Sequence, residues 1–222
     1  MPTTLNLGSI QSFLSELSQN NNKAWFDNHR PAYNAARETF EKFINGLIDE
    51  FRVLDNLKDL TARECVTRIY RDIRFSKNKS PYKTNLAAMI APGGWRPPML
   101  GYYISIEPHG KTMNAGGLYN PTPEQLNRFR QMIEMDASTF KELMQTREFI
   151  ENFHAVEGDR LKTAPKGYDR THPEIELLQL KQIFIVHHFT DDEVLVHDFS
   201  ERVIKVCRAM KPFLNYLNDV VQ

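Results

Sequence analysis

The sequence is poor in cysteine and has no long apolar run. Its 222 residues include two cysteines, Cys65 and Cys207, too few for a disulfide framework and without the CxxC spacing of redox and zinc sites. We therefore expect two half-buried thiols in a reducing cytoplasm. The longest uninterrupted apolar run, 86–91, is far shorter than the about 20 residues that span a bilayer, so no membrane segment is predicted.

Net charge is absent as well. The 28 basic residues balance the 28 acidic ones, whereas a protein that coats nucleic acid or an anionic membrane over its whole surface is strongly basic. The N-terminal residues have neither the basic start nor the apolar core of a signal peptide. These features favour a cytoplasmic protein and make nucleic-acid binding possible only through a local patch.

The motifs of common cofactor and metal sites are missing. The sequence contains no GxGxxG, HExxH, EF-hand or zinc-finger spacing. Gly110-Lys111-Thr112 is similar to the end of a P-loop, but Ser105 stands where that motif needs its first glycine. We therefore predict no cofactor and no metal. No reaction is identified, so whether the chain is an enzyme stays open.

Hydrophobic periodicity indicates the fold class. Near the N-terminus, apolar residues recur at helical spacing within 10–17 and again within 40–51. The middle of the chain alternates as strands do, with links too short for a parallel crossover. Helical patterns then return. We predict an α+β fold in which N-terminal and C-terminal helices pack on a central antiparallel sheet, about residues 62–117 plus 183–189, in a single domain over 1–222.

Turn and capping signals set the limits of several elements. Capping boxes at Thr122 and Thr190 predict helix starts, and Asn22 is expected to cap a short helix. Pro108-His109-Gly110 suits a hairpin with Gly110 in the left-handed conformation. The strands predicted in this region are Cys65–Phe75, Asn85–Ile90, Tyr102–Glu107 and Thr112–Ala115.

One segment concentrates positive charge. Within 68–83, six basic residues stand against Asp72 alone, so this segment carries a net charge of +5 in a neutral chain. Guanidinium groups bind oxyanions in bidentate fashion and ammonium groups add point charge, so phosphate or carboxylate is the expected ligand. The candidate binding residues here are Arg68, Arg71, Arg74, Lys77, Lys79, Tyr82 and Lys83.

Arg71 gives the strongest reason to expect a bound anion. On a regular strand it would share the apolar face with Ile69 and Ile73, where an unpaired guanidinium is costly. It therefore needs a carboxylate, a carbonyl cluster or a bound anion. Alternatively, Arg71 pairs with an internal acidic residue and the loop Lys77–Lys83 is solvated surface.

Five further residues are candidates to join this segment. Gly116 and Gly117 end a strand and would let a ligand approach the backbone closely, or else form a bulge or turn. Lys166 and Tyr168 lie in a loop where the lysine could reach an anion, or else form a plain surface turn. His187 lies on a predicted strand, where it could face a cleft as a proton-transfer group or be a hydrogen-bonded core histidine.

The basic segment and several other blocks resemble a known family. These blocks are, in chain order, Asn21–Phe26, Arg68–Thr84, Gly101–Pro108, Gly116–Pro121, Leu161–Tyr168, His172-Pro173 and Leu178–Lys181. Together they resemble the microbial family called domain of unknown function 2461, over about residues 9–210. The resemblance implies a single domain over nearly the whole chain and supplies no activity and no catalytic residue.

Three functions compete for the basic segment. The first, which we favour, is a small-molecule binding protein or enzyme whose phosphate- or carboxylate-bearing ligand is held by Arg71 and Arg74, with any acid–base step supplied by a histidine or Tyr82. The second is a nucleic-acid-binding module that uses the same basic and aromatic residues. The third is a structural domain whose basic loop meets an acidic partner surface.

Overall fold

The computed structural model describes residues 5–52, 55, 57, 59–94 and 99–221. It is 50% helical and 14% strand, so the class is α+β, as predicted. In the described residues the elements follow the order α1 (Gly8–Gln19), α2 (Lys23–Asn28), α3 (Arg30–Phe51), α4 (Ala62–Cys65), β1 (Leu86–Ile90), β2 (Tyr102–Ile106), β3 (Thr112–Leu118), α5 (Pro123–Met135), α6 (Ser138–Gln145), α7 (Arg147–Phe153), α8 (Ile175–Leu178), β4 (Ile183–Phe189), α9 (Asp191–Leu195) and α10 (Phe199–Val221).

The four strands form one antiparallel sheet in the order β1-β2-β3-β4. The turn between β2 and β3 places both His109 and Gly110 at positive φ, 68° and 69°, so the left-handed glycine is confirmed. Both backbone N–H groups donate to the Asp191 carboxylate, at 2.9 and 3.1 Å. This carboxylate satisfies donors that a tight turn leaves unpaired.

The sheet begins at β1, so the expected strand Cys65–Phe75 is wrong. Its first residue instead ends α4, and its middle pairs with the segment before β1 through the isolated bridge between Tyr70 and Tyr82. Arg71 donates its backbone N–H to the Pro81 carbonyl at 2.9 Å. Because proline has no N–H to return, a regular ladder does not continue past this point.

The chain divides into two compact units, each made of several stretches of sequence. The first consists of Met1–Trp95, Tyr103–Asn114 and His188–Ile204, as far as these are described. Its core uses the apolar stripes predicted from periodicity. The buried residues of α1 and α3 are Ile10, Phe13, Leu14, Leu17, Tyr33, Ala36, Phe40, Phe43, Ile44, Leu47, Ile48 and Phe51. How many domains fold independently stays a prediction.

The second unit consists of the described parts of Arg96–Tyr102, Ala115–His187 and Lys205–Gln222. Its core holds a group of buried phenylalanines, in which the ring of Phe140 lies 5.3 Å from that of Phe129 and 5.8 Å from that of Phe213. Such aromatic contacts stabilise beyond the apolar area that they bury. The predicted capping box of Thr122 with Gln125 starts α5.

The two cysteines are more deeply buried than expected, and both are thiols. Burial raises the pKa of the Cys65 thiol to about 12. Its thiolate, which nucleophilic chemistry and metal binding require, is therefore scarce at neutral pH. Within the part of the chain that the structure describes, no helix combines the length and the apolar character needed to cross a bilayer.

Candidate functional site

A polar cavity of about 370 Å³ lies in the first unit, beside the segment 68–85, which we call the basic arm. The arm provides most of the lining, and the last turn of α1 and the residues after it provide the rest. The lining residues are Ser18, Asn21, Arg71, Asn78, Ser80, Tyr82, Lys83, Thr84 and Asn85. None of them is acidic.

Asn21 joins the arm to the helical part of this unit. Its side-chain amide donates to the Tyr82 carbonyl at 3.0 Å, and its side-chain oxygen accepts the Tyr82 N–H at 3.1 Å. The amide side chain therefore provides the paired bonds that a neighbouring strand would otherwise provide. Because α1 ends just before it, Asn21 is not committed to a helical ladder and can make both bonds.

Tyr82 is held from its other side by Phe26 of α2. The two rings stack with centroids 4.0 Å apart and an interplanar angle of 14°, and Tyr82 is only 3% exposed. The side chain of Asn22 caps α2 by accepting the N–H of Trp25 at 3.0 Å, as predicted. Burial raises the pKa of the Tyr82 phenol, which therefore stays protonated at neutral pH.

Hydrogen bonds to β2 and to the residue after it anchor the far end of the arm. The Thr84 hydroxyl donates to the Glu107 carboxylate at 2.8 Å, and the Asn85 amide donates to the Ser105 hydroxyl at 2.8 Å. Within the arm, the Ser80 N–H donates to the Asn78 side-chain oxygen at 2.9 Å, as in an Asx turn. The C-terminal end of the arm is thus bonded both to the residues after α1 and to β2 and the residue that follows it.

Arg71 has neutral partners. Its Nη1 donates to the Ser80 carbonyl at 3.0 Å, and its Nη2 makes a long contact of 3.5 Å with the Ser76 hydroxyl. No ion pair of Arg71 occurs among the described residues. The guanidinium is half-buried rather than set on an apolar strand face, and the expected internal carboxylate is not its partner.

Lys83 is the second cation of the cavity. It is half-buried, and its ammonium has no hydrogen bond or ion pair with any described residue. Burial lowers the pKa of Lys83, and the nearby charge of Arg68 lowers it further. The cavity therefore holds two positive groups whose charge no acidic side chain in its lining balances.

The other basic residues of the arm do not line the cavity. Arg74 forms a bidentate ion pair with Asp72, at 3.0 and 2.6 Å, so its charge is balanced. Lys79 donates to the Ile73 carbonyl at 3.0 Å. Arg68 and Lys77 are exposed. None of these four basic residues lines the cavity, so its lining gives no support to their predicted role in ligand binding.

Gly116 and Gly117 of β3 lie against packed chain. A Cβ at Gly116 would come within 2.4 Å of the Met210 sulfur, and one at Gly117 within 2.4 Å of the Ile183 carbonyl oxygen. Both close approaches are made by the protein itself. The space beside these glycines, in the second unit, is thus occupied by protein atoms.

The remaining candidates also lie in the second unit and outside the lining of the cavity. Lys166 is exposed. The Tyr168 hydroxyl donates to Glu134 at 3.3 Å, and burial, followed by the charge of this carboxylate, raises the pKa of Tyr168. His187 directs its Nδ1 to the Asn152 carbonyl at 2.8 Å, which suits the hydrogen-bonded structural histidine considered above.

Six lining residues are not among the site predictions. Four of them belong to the basic arm, where the concentration of charge marks the segment but not its polar neutral members. These are Asn78, Ser80, Thr84 and Asn85. Ser18 and Asn21 come from a distant part of the sequence, and the run Asn20–Asn22 indicates only the end of a helix. No group of three or more His, Cys, Asp or Glu residues that could hold a metal occurs in the described residues.

Comparison with known proteins identifies a family without assigning a ligand. Residues 9–216 match the family described as conserved hypothetical protein (DUF2461). No curated protein and no solved structure matches the chain. Since the family match covers nearly the whole sequence and includes every residue that lines the cavity, the chain belongs to the DUF2461 family of conserved hypothetical proteins.

Proposed function

We propose that the first unit binds a small phosphate- or carboxylate-bearing ligand between Arg71 and Lys83. The observation that carries the proposal is the presence of both cations in one polar cavity whose lining contains no acidic residue. A guanidinium with neutral partners keeps its full charge available to an oxyanion. An anion placed beside both groups would balance charges that are otherwise partly withdrawn from water.

Thermal denaturation in the presence of inorganic phosphate tests this proposal. We expect the melting temperature to rise by about 5–11 °C when phosphate is 100-fold above its Kd, because a ligand that binds only the folded chain stabilises it by mass action. Arg71→Ala and Lys83→Met should each weaken binding at least about 10-fold, as expected for the loss of a charged hydrogen bond. Arg63→Ala and Lys77→Met are matched controls, since both residues are exposed and neither lines the cavity. Equal losses in the controls would show a general charge effect and contradict the proposal.

Lys83→Met has a second expected effect in buffer without anions. Because burial lowers the pKa of Lys83 from its ordinary 10.5, the unfolded chain binds this proton more tightly than the folded one. Protonated Lys83 therefore opposes folding at neutral pH, and the opposition fades as pH rises from the folded pKa toward 10.5. The variant should melt at a higher temperature than the wild type at pH 7, with the difference shrinking in alkaline buffer. A lower melting temperature at pH 7 would mean that Lys83 has a stabilising partner.

A second candidate function, nucleic-acid binding, is favoured by Phe75. This ring is 95% exposed at the tip of the basic arm, and the Arg74 guanidinium lies 5.9 Å from its centroid. The Lys79 bond to the Ile73 carbonyl ties down the chain around it. An exposed aromatic ring beside a guanidinium suits stacking with an unpaired base beside backbone phosphates.

Fluorescence anisotropy with a labelled single-stranded RNA tests this second function. Phe75→Ala should weaken binding about 5- to 100-fold, because base–aromatic stacking contributes strongly at each contact. Binding should also weaken steeply as the salt concentration rises from about 50 to about 200 mM, because the contacts to phosphates release counterions. Met135→Ala is the control, since Met135 is 87% exposed and lies outside the arm. Unchanged affinity in Phe75→Ala would reject stacking at this ring.

A cytoplasmic location is part of the proposal. It rests on the two buried thiols, because oxidising compartments favour disulfides and a reducing cytoplasm keeps cysteines as thiols. A fusion to a fluorescent reporter would locate the protein directly. Fluorescence outside the cytoplasm would contradict this part of the proposal alone.

A further inference from the structure

The cavity has a definite size, charge and chemical lining, and these three properties together select a class of ligand. We propose that it takes a small phosphorylated sugar or polyol. This inference rests on the proposed anion binding and adds the chemical class of the ligand's neutral part, which carries hydroxyl groups. Each of the three properties disfavours a different competitor.

The size of the cavity favours a ligand of intermediate size. Its volume of about 370 Å³ lies near the lower end of the range of about 300–1,000 Å³ for small-molecule pockets. Inorganic phosphate, with about five non-hydrogen atoms, would leave more than half of this space to solvent. A nucleoside triphosphate, with about thirty, is larger than the ligands that pockets at the lower end of this range usually enclose. A three- to six-carbon sugar phosphate, with about ten to sixteen, matches the space.

The charge of the cavity favours phosphate over carboxylate. Arg71 and Lys83 both line it without an acidic neighbour in the lining, so the site offers two positive charges. A phosphate monoester carries a charge of about −1.5 to −2 near pH 7, whereas a single carboxylate carries −1. The three terminal oxygens of the monoester also provide enough acceptors for both a guanidinium and an ammonium.

The neutral part of the lining suits a ligand with hydroxyl groups. Apart from the two cations and Tyr82, every lining residue is a serine, threonine or asparagine. In the described part of the chain, the Ser80 hydroxyl has no hydrogen-bond partner, whereas its backbone groups are bonded to Asn78 and Arg71. Such a hydroxyl can donate to and accept from a sugar hydroxyl. An apolar tail would instead leave the Ser80 hydroxyl unpaired.

The absence of an open aromatic face argues against a nucleotide base. Tyr82 is the one aromatic residue in the described lining. Phe26 already covers a face of its ring, and the side chain is only 3% exposed. A base would therefore find no platform for stacking inside the cavity.

Isothermal titration calorimetry with five probes tests the inference. The probes are inorganic phosphate, glycerol 3-phosphate, ribose 5-phosphate, ribose and ATP. We expect ribose 5-phosphate to bind at least about 10-fold more tightly than inorganic phosphate, and ATP to bind no more tightly than inorganic phosphate. Ribose alone should bind weakly or not at all, since it lacks the dianion.

Two variants separate the sugar contacts from the anion contacts. Ser80→Ala should weaken ribose 5-phosphate about 3- to 10-fold more than it weakens inorganic phosphate, because it removes one neutral hydrogen bond to the sugar. Ser12→Ala, an exposed serine of α1, should change neither affinity. If inorganic phosphate and ribose 5-phosphate bind equally, or if ATP binds most tightly, this inference is wrong and anion binding stands. If none of the phosphates binds, the proposed function fails as well.

Discussion

Replacing Phe26 by alanine is expected to lower the free energy of unfolding by about 3–5 kcal/mol. Phe26 is fully buried, and its ring lies 4.0 Å from that of Tyr82 and 5.1 Å from that of Tyr33. Truncation removes these contacts and leaves a cavity that the surrounding rings cannot fill. Because Tyr82 lines the polar cavity, the same variant should also lose its response to phosphate at temperatures where it remains folded.

Urea denaturation followed by circular dichroism measures this effect, and Phe75→Ala is the matched control. The chemical change is identical, but Phe75 is 95% exposed, and substitutions at such positions usually leave stability almost unchanged. Equal midpoints for the two variants would mean that the stacking of Phe26 on Tyr82 does not stabilise the first unit. A Phe26→Ala variant with full phosphate response would mean that Tyr82 is positioned by other contacts.

Gly117→Ala is expected to destabilise the protein by about 3 kcal/mol or more, through backbone strain and a clash. Gly117 has a φ of 129°, a conformation that residues with a Cβ rarely adopt. An added Cβ would come within 2.4 Å of the Ile183 carbonyl oxygen and 2.7 Å of the Phe184 Cα. Both atoms belong to the backbone of β4, so they can move only if the strand moves.

Gly46→Ala provides the opposite expectation with the same chemical change. Gly46 lies in the C-terminal part of α3, before its last turn, and an added Cβ there meets nothing within 4 Å. Alanine should stabilise this exposed helical position by about 0.5–1 kcal/mol, because it lowers the conformational freedom of the unfolded chain. Equilibrium unfolding in urea gives both values. If Gly117→Ala kept full stability but lost phosphate binding, the result would support the prediction that a ligand approaches the backbone at Gly117.

Short-range patterns account for most of the fold that the sequence predicted. The apolar stripe of α3 runs from Tyr33 to Phe51 with helical spacing, about five turns. The capping boxes at Thr122 and Thr190 act within three residues of each helix start. These signals depend on residues that are close in the sequence, so they can be recognised without knowledge of the tertiary structure. The expected strand at Cys65–Phe75 fails for the opposite reason. Its alternation was regular, but a strand also needs a partner, and Pro81 in that partner cannot return a hydrogen bond.

The candidate site was partly predictable on the same grounds. Concentrated charge marks Arg71 and Lys83 and also marks Arg74, because charge counting along a segment does not reveal which residue will be paired. The bidentate bond between Arg74 and Asp72 spans two residues and depends on the shape of the turn. The sequence therefore did not show which basic residues of the arm are exposed and which are paired with an acidic residue.

The sequence by itself determined the α+β class, the buried helix faces and the location of surplus positive charge, since these follow from periodicity and composition. Only the tertiary structure decided that Asn21 meets Tyr82 across 61 positions of chain. It also decided that Gly117 faces the backbone of β4. A cavity is bounded by side chains that packing brings together from distant positions, and no local rule of spacing specifies which of them will meet.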